Sequence, residues 1–507
     1  MSRDDDAFDV LVVGFGPVGA TVCCLLGQYG VRVLVIDKAD GIYLHPRAIA
    51  LDNEALRILQ LAGLPTGAFE TLPIPTVRLH CPYVGQFAEI DTSGTIDGHP
   101  KLVTFHQPSL EAALRATVAT HPTVTVATGV ELVHFDDMGD SVRATLRTID
   151  GERRVQARFL VGADGARSTV RRATGQRFEG QTHAEEWLVV DARNVPGTFD
   201  HVEFLCDPNR PTPHMVAPDG RIRWEFMLRP GETKDHMERE DTIRQLLAPW
   251  DPTGRAELER VAVYRFHARS CDAYRVGSVF LAGDAAHLTP PFAGQGLVSG
   301  LRDAINLAWK LSWVLCNRVS ERILDSYDEE RRPHALKMIG LARFMGALIM
   351  PRSHAIAALV HGALRLGQWV PGIRRQLTEM RIKPPHAFDK GLFVSGRGRY
   401  RRGGWFPQVR LGVSGRDNIW SDDVLGPGFA LVGLGGDIRL SSATQRTWET
   451  LGGRIVTLDM AAPPPAWCAV VRPDRTIVND GPACDAERVT RQALACLASS
   501  GSPAHGG

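Results

Sequence analysis

The sequence predicts an α/β fold with an antiparallel sheet inserted into it, and three observations carry the prediction. The chain opens on a complete strand–helix–strand pattern with a glycine-rich turn. Two later apolar runs, Phe159–Val161 and Val279–Ala282, each break into a glycine–aspartate turn that leads into a helix. Between them lie short alternating segments bounded by Gly and Pro, the pattern of an antiparallel sheet with one polar face.

Asp9–Val13 (DVLVV) reads as a buried strand. Gly14-Phe15-Gly16-Pro17-Val18-Gly19 follows at once, and a helix-compatible run continues to Tyr29, closed by Gly30. Val31–Ile36 (VRVLVI) is a second strand, ended by Asp37. The whole is a Rossmann-like fingerprint in context. Gly14 allows the tight turn, Gly16 lets a pyrophosphate approach the backbone, and Gly19 lets the helix pack on the strand. Asp37, about 20 residues on, can accept hydrogen bonds from a ribose. The fingerprint alone does not separate NAD from FAD.

Arg47, in His45-Pro46-Arg47-Ala48-Ile49, can balance a pyrophosphate or meet an incoming nicotinamide dinucleotide; otherwise it is a surface arginine. Gln107 begins another helix. Its amide donates and accepts, which suits a ribityl chain, a cap or solvent equally well. Val124–Val126 and Val142–Leu146 alternate like small strands. After Phe159–Val161 comes GADGARSTVR, which places Asp164 and Gly165 at a strand's end. Val279–Ala282 leads likewise into Gly283 and Asp284. Pro290 and Pro291 then fix a loop path, and Gly294-Gln295-Gly296 permits close backbone approach. From Leu297 the spacing is helical, with Leu301, Ile305, Ala308 and Leu311 one turn apart. Strand, glycine-rich loop and helix aim free N–H groups at an anionic or electron-rich ligand; an ordinary crossover has the same outline. No second full fingerprint exists, so one dinucleotide is expected to be held tightly and a second to visit transiently.

In the middle, Trp187–Val190, Val202–Leu205, Ile222–Leu228 and Val261–Phe266 are the expected strands, with a helix over Met237–Leu247. Glu329–Trp369 reads as helical with an apolar core stripe. Ser395–Trp405 (SGRGRYRRGGW) reads as a mobile basic linker. Phe429–Val432, Arg454–Leu458 and Cys468–Val471 read as strands before a helix at Cys484–Leu497, and Ser499–Gly507 should be frayed.

Composition narrows the function. Hydrophobic residues are 44% and charged residues 23%, ordinary for a globular protein, and 58 basic residues balance 57 acidic ones to a net charge of +1. That balance gives no reason to expect nucleic acid or an anionic membrane as partner. The nine cysteines include no CxxC, which fits reduced thiols in a cytoplasmic protein and offers no zinc or redox motif. The acidic start MSRDDDAFDV lacks a signal-peptide pattern, and no apolar run reaches the roughly 18 residues of a membrane span. No metal site is expected.

GFGPVG, GADGARSTVR and GDAAHLTPPFAGQG, in this order, resemble the signatures of class A FAD-dependent aromatic hydroxylases. The strings GIYLHPRAIALDNEALRILQL, WLVVD, CDPNRP, WEFMLRPGET and EMRIKP resemble the 3-(3-hydroxyphenyl)propionate hydroxylase branch, over about residues 8 to 385. The resemblance implies non-covalent FAD, with NADH or NADPH and O2 as co-substrates. It implies that Gly14, Gly16, Gly19 and Asp37 hold the ADP half, with Pro17, Val18 and Lys38 among the cofactor-binding residues. Arg47 and Gln107 would contact the flavin, Asp164 and Gly165 would serve FAD and the nicotinamide, and Gly283 and Asp284 the ribityl chain. Pro291, Gly294, Gln295, Gly296 and Leu297 would lie along the isoalloxazine, with Arg47 and Pro291 as gating residues. The antiparallel sheet would roof the substrate, with His214, Arg223, Trp224, Phe226, Tyr264 and Phe292 as the side chains to reach it.

The implied division is an FAD-binding domain over residues 1–180 and 276–345, a substrate sheet over 181–275, a helical connector over 346–394 and a thioredoxin-like domain over 395–507. The last could support a homodimer. The implied reaction hydroxylates a phenolic acid through a C4a-hydroperoxyflavin. The loop Leu288–Ala293 lacks the branch's usual Trp, so a larger polycyclic phenol from a tailoring or inactivating pathway is the alternative substrate. A flavin halogenase lacks support, because no Trp-x-Trp-x-Ile-Pro string exists. A non-enzymatic flavin-binding regulator is the remaining rival. The base for the phenol is not assigned, and His287, close to the loop, is not claimed as one.

Overall fold

A computed structural model describes residues 7–44, 47–197, 200–378, 383–413, 416–436, 438–458 and 466–499. Within it, the first sheet runs in the order Val124–Thr128, Val33–Asp37, Ala7–Val13, Gly151–Gly162, Val142–Thr148, Glu131–Asp137. The first four strands are parallel, as expected for a crossover fold, and Val10–Val13 and Val33–Ile36 in the middle are buried on both faces. Gly151–Gly162 changes neighbour along one edge. Its first residues pair antiparallel with Val142–Thr148, and its last three pair parallel with Val279–Leu281. Val13, Gly162 and Leu281 therefore stand in one row of the sheet. The three signature turns start from that row.

The helices Pro17–Gln28 and Gln295–Leu315 pack on this sheet, and Val18, Val22, Leu301 and Ala304 lie in the shared core. Close contact needs the glycines. A side chain at Gly300 would press into Val18, and one at Gly283 would meet the same valine at 3.0 Å.

The second sheet is larger than the sequence suggests. Its order is His287–Leu288, Glu257–Cys271, Phe178–Arg193, Arg221–Met227, Thr212–Ala217, Val202–Leu205, Thr76–Cys81, Gly85–Asp91. The last two strands come from the stretch assigned to the cofactor domain. Nothing local in their sequence names a partner strand more than 100 residues away. Both faces of this sheet are covered. On one, Leu188, Val190, Trp224, Phe226 and Val263 pack under Met237, Ile243, Leu247 and Trp250. On the other, Trp187, Met215, Phe266 and Phe292 join Ile349 of the long helix Asp325–Ile349. The helix expected over Met237–Leu247 is two, Lys234–Met237 and Glu240–Leu247, separated at Glu238 and Arg239. The single helix expected over Glu329–Trp369 breaks after Ile349 and restarts at His354, where Ser353 caps the new helix.

The tail forms a four-stranded sheet in the order Arg454–Leu458, Ala430–Leu434, Trp467–Val471, Ile477–Pro482. It is tied to the first sheet's helices by buried ion pairs. Arg57 and Arg475 share Asp422, and Arg472 and Lys310 share Glu330. The string Ser395–Trp405 is not a free linker. Arg402 Nε and the Tyr400 N–H both donate to Asp480, and Trp405 bridges Thr476. The buried Asp480 carboxylate explains why Arg402 settles there. Of the strings above, Met1–Asp6, His45, Pro46, Glu379–Ile382 and the end of the chain from residue 500 lie outside the described residues. Among the described residues, no single helix is long and apolar enough to cross a membrane, and no group of His, Cys, Asp and Glu is poised to hold a metal ion.

Candidate active site

The three signature turns meet at the carboxyl ends of adjacent parallel strands, the usual place for a ligand in an open α/β sheet. Gly14 has φ +103°, and a side chain there would strike the Ala163 carbonyl, with Asp164 Cα at 2.9 Å. The first and second turns thus touch. Gly16 differs: a side chain there would meet nothing within 4 Å. It is also the N-cap of Pro17–Gln28 and makes no side-chain cap bond, so the first-turn amides are left for a ligand. The second helix over the cleft, Gln295–Leu315, starts the same way, with Gly294 at φ +61° and no side-chain cap.

Asp37 is partly spent on the protein. It accepts from the Phe15 N–H at 2.7 Å and from the Ala39 N–H at 2.8 Å, which fixes the glycine turn beside it. Lys38 is exposed. Gln107 acts through its carbonyl oxygen, which accepts from the Arg47 and Ala48 N–H groups at 2.9 Å each. Its amide nitrogen remains for a ligand. Asp164 caps the short helix Thr169–Ala173 with one oxygen, accepting from Thr169 N–H at 2.6 Å, while its other oxygen is buried with no partner in the described residues. Arg171 was not anticipated. It donates to the Ala166 carbonyl at 2.6 Å and the Ala285 carbonyl at 2.9 Å, and so clamps the second turn to the third. The repeated arginine of GADGARSTVR was the available signal.

Asp284 faces Arg47 across 3.6 Å, with 38% of its side chain exposed to the cleft. Enclosure by protein holds its pKa above the ordinary carboxylate range, and Arg47 opposes the rise without cancelling it. Gln295 does not face the cleft through its side chain. It bonds Asp52 and receives Arg302, inside a buried network with Glu54 and Lys383. Pro291 opens the short turn Pro291–Ala293, Gly296 and Leu297 start the helix, and Gly165 sits at φ +77° in the second turn. His287 turns away and bonds Asp303 at 2.7 Å.

The roof splits the substrate candidates by strand parity. Arg223 and Tyr264 lie on the face toward the signature turns, and Phe292 reaches that face from the turn Pro291–Ala293. Arg223 is held by Asp191 at 2.6 Å and donates to the Arg47 carbonyl at 2.9 Å, so roof and cofactor loop are joined. Arg260 pairs with the same Asp191 at 3.3 Å and donates to the Tyr264 hydroxyl at 2.7 Å. Tyr43 reaches the Tyr264 hydroxyl from the loop, and burial with this neighbour raises its pKa. Phe292 contacts the rings of Trp187 and Phe266, with centroids 5.6 and 5.8 Å away.

His214, Trp224 and Phe226 are corrections. All three contact Trp250 on the opposite face, beneath the two short helices, and cannot meet a ligand in the cleft. Burial lowers the His214 pKa to about 4, which leaves it a neutral core residue. The residues that alternate with them, Arg223 and Glu225, face inward instead. Asp191 and Glu225 were missed although both lie in quoted strings. A charge inside an otherwise apolar strand was the signal.

These features fit a flavin dinucleotide. An uncapped helix start and an open glycine suit a pyrophosphate, Asp164 has an unused oxygen, and Asp284 has room for hydroxyl donors. The comparisons agree. The family model described as FAD binding domain matches residues 7–342, and one described as HcaD C-terminal domain matches 403–466. A 3-(3-hydroxy-phenyl)propionate/3-hydroxycinnamic acid hydroxylase of Burkholderia cenocepacia (strain HI2424) is 37% identical, over 89% of this chain and 84% of its own length. A protein of the same name from Mycobacterium sp. (strain JLS) is 37% identical over 94% and 85%. The flavin-dependent monooxygenase PieE, solved with FAD and substrate, superposes with a TM-score of 0.80 at 20% identity, covering 98% of this chain and all of that one. Aklavinone-11 hydroxylase, solved with FAD and aklavinone, gives 0.77 at 22%, covering 98% and 100%. The last two similarities speak to the fold. With the model match and the relatives together, the chain belongs to the FAD-dependent aromatic hydroxylases, in the branch of the 3-(3-hydroxyphenyl)propionate hydroxylases.

Proposed function

We propose that this enzyme uses NADH or NADPH and O2 to hydroxylate a small phenolic acid like the one its relatives are named for. One observation carries the proposal: an aromatic roof of Trp187, Phe266 and Phe292 stands on the same sheet face as Arg223, which is bonded to the loop of Arg47. A ring can be enclosed there, beside a polar wall of Asp191, Arg260 and Tyr264. When bound, FAD takes electrons from the nicotinamide and passes one oxygen atom of O2 to the ring. The protein's part is placement. The Gly16 turn and its helix amides would hold the pyrophosphate, Asp284 the ribityl hydroxyls, and Asp164 a further hydroxyl. The helix start at Gly294–Leu297 would lie along the ring system, and the roof would exclude water, which otherwise wastes the activated oxygen. Arg47 and Pro291 flank the place where the flavin would be gated between nicotinamide and substrate.

The domain reading belongs to the same proposal. Residues 1–180 and 276–345 form the cofactor domain, 181–275 most of the substrate sheet, 346–394 a connector, and 395–507 a thioredoxin-like support for a homodimer, which sedimentation would test.

The enzymatic test is a screen of hydroxylated aromatic acids and polycyclic phenols for stimulated NADH or NADPH oxidation, with products identified by mass. We expect a phenolic acid to gain one oxygen. If only polycyclic phenols are converted, the substrate class is wrong. If no phenol accelerates nicotinamide oxidation, the activity itself is wrong.

A further inference from the structure

Glu225 is a buried carboxylate on the inner roof face to which no described residue bonds. It stands two residues from Arg223 on the strand Arg221–Met227 and pairs across to Val189, so it points to the same side as Arg223 and Asp191. Its residue surface is 7% exposed. Asp191 is saturated by Arg223 and Arg260, but no hydrogen bond or ion pair to Glu225 is found among the described residues. Its oxygens are nevertheless not among the sealed, unpartnered polar atoms. A nearly covered carboxylate with free lone pairs and a remaining opening has to be matched by something that donates a hydrogen bond, since burying it unmatched is costly. Val189 and Met227 on its own face offer no donor. The chemistry that fits is a hydroxyl on a ring lying under the roof.

We propose that the Glu225 carboxylate receives the proton of the substrate's phenolic hydroxyl as the ring is oxygenated. The inference rests on the phenol-hydroxylase assignment above. The phenol O–H bond breaks, its electron pair stays on the phenol oxygen and enriches the ring, and a new O–H bond forms on Glu225. The oxygen atom comes from O2 and the electrons from NADH or NADPH, as above. The proton leaves to water when the product departs. A free phenol has a pKa of about 10, so at neutral pH a nearby base is what makes the ring electron-rich. The charges around Glu225 are Arg223 on its own strand, Asp191 on Phe178–Arg193 and Arg260 on Glu257–Cys271. Burial first, then Asp191, hold its pKa above the ordinary carboxylate range against the two arginines. Activity should therefore fall on an acid limb as Glu225 takes up a proton.

The test uses the FAD-loaded enzyme, with 3-(3-hydroxyphenyl)propionate as probe, or the best phenol from the screen. For Glu225→Gln, kcat should drop about 100-fold at pH 7, the acid limb should vanish, and the deficit should shrink as pH approaches the phenol's own pKa. Flavin reduction by the nicotinamide should keep its wild-type rate. Unchanged kcat and an unchanged pH profile in this variant overturn the proposal. Should Glu225→Gln fail to retain FAD, Glu225→Asp decides: a lower kcat with the acid limb retained supports the role, while an unchanged kcat or a lost limb overturns it. A wild-type enzyme that answers to no phenol overturns the assignment of function instead, which the same assay shows before any variant is made.

Discussion

Arg223 Nη1 donates to the main-chain carbonyl of Arg47 at 2.9 Å, so the roof sheet holds the backbone of the loop that reaches Asp284. The same guanidinium is fixed by Asp191 through two bonds of 2.6 and 2.9 Å. The inner face of the second sheet and the loop of Arg47 are thereby one hydrogen-bonded unit, although the two residues are separated by 176 positions in sequence.

Breaking this unit should be expensive and specific. Asp191→Asn leaves Arg223 and Arg260 without their charge partner in a buried place, which costs about 3–5 kcal/mol. Urea unfolding followed by Trp fluorescence measures it. In Arg223→Met the loop loses its tether, and we expect flavin reduction in stopped flow to slow about 10-fold while FAD stays bound.

Two glycines of the fingerprint should respond differently to alanine. Gly14→Ala collides with the Ala163 carbonyl in a left-handed backbone, so this variant should fail to fold or lose several kcal/mol. Gly16→Ala meets nothing within 4 Å of its own chain. It should unfold like wild type in the apo form and bind FAD at least 10-fold more weakly. Equal apo stability with equal FAD affinity would show that the open space at Gly16 is not the cofactor's.

Glu54 gives a pH prediction. Burial alone pushes its carboxyl up, but Arg302 and Lys383, at 2.6 and 2.8 Å, reverse this and lower it to about 2. A carboxylate depressed on folding adds stability that is full above its unfolded pKa and disappears as pH falls through the folded one. Between about pH 4.5 and pH 2 the wild type should thus lose up to about 3 kcal/mol that Glu54→Gln lacks from the start. Acid unfolding curves of the two proteins, compared at equal salt, decide the matter.

The two faces of the roof separate stability from substrate handling. Trp224→Leu should cost about 2–4 kcal/mol, because it opens a void against Trp250, and should leave KM for the phenol unchanged. Phe266→Leu, on the inner face beside Trp187 and Phe292, should change KM or the coupling of nicotinamide oxidation to product. Steady-state kinetics with product quantitation distinguishes them.

Much of the site was legible as sequence because its chemistry is local. A tight turn needs Gly14, a close helix needs Gly19, and a strand ending in Gly-Asp announces its own geometry, so each turn could be read from its neighbours alone. Gln107, Gln295 and Asp37 show the limit of such reading. Each was read as a cofactor contact, yet side-chain atoms of each serve the protein: Gln107 holds the Arg47 backbone, Gln295 joins Asp52 and Arg302, and Asp37 holds the Phe15 amide.

What the chain's order of residues determined by itself was the set of turns, the cofactor fold and the alternation of Trp224, Glu225 and Phe226. What only the tertiary structure decided was which of those alternate residues face the signature turns. A strand sends neighbours to opposite faces, but the pattern names the buried face only when the other is wet. Here both faces are covered, one by the two short helices and one by Phe292 and Ile349, so Arg223 and Trp224 are equally hidden, 2% and 0% exposed. The long-range pairings that bring Thr76–Cys81 to the sheet's far side and Asp191 to Arg223 choose the inner face, and no short window of sequence contains them.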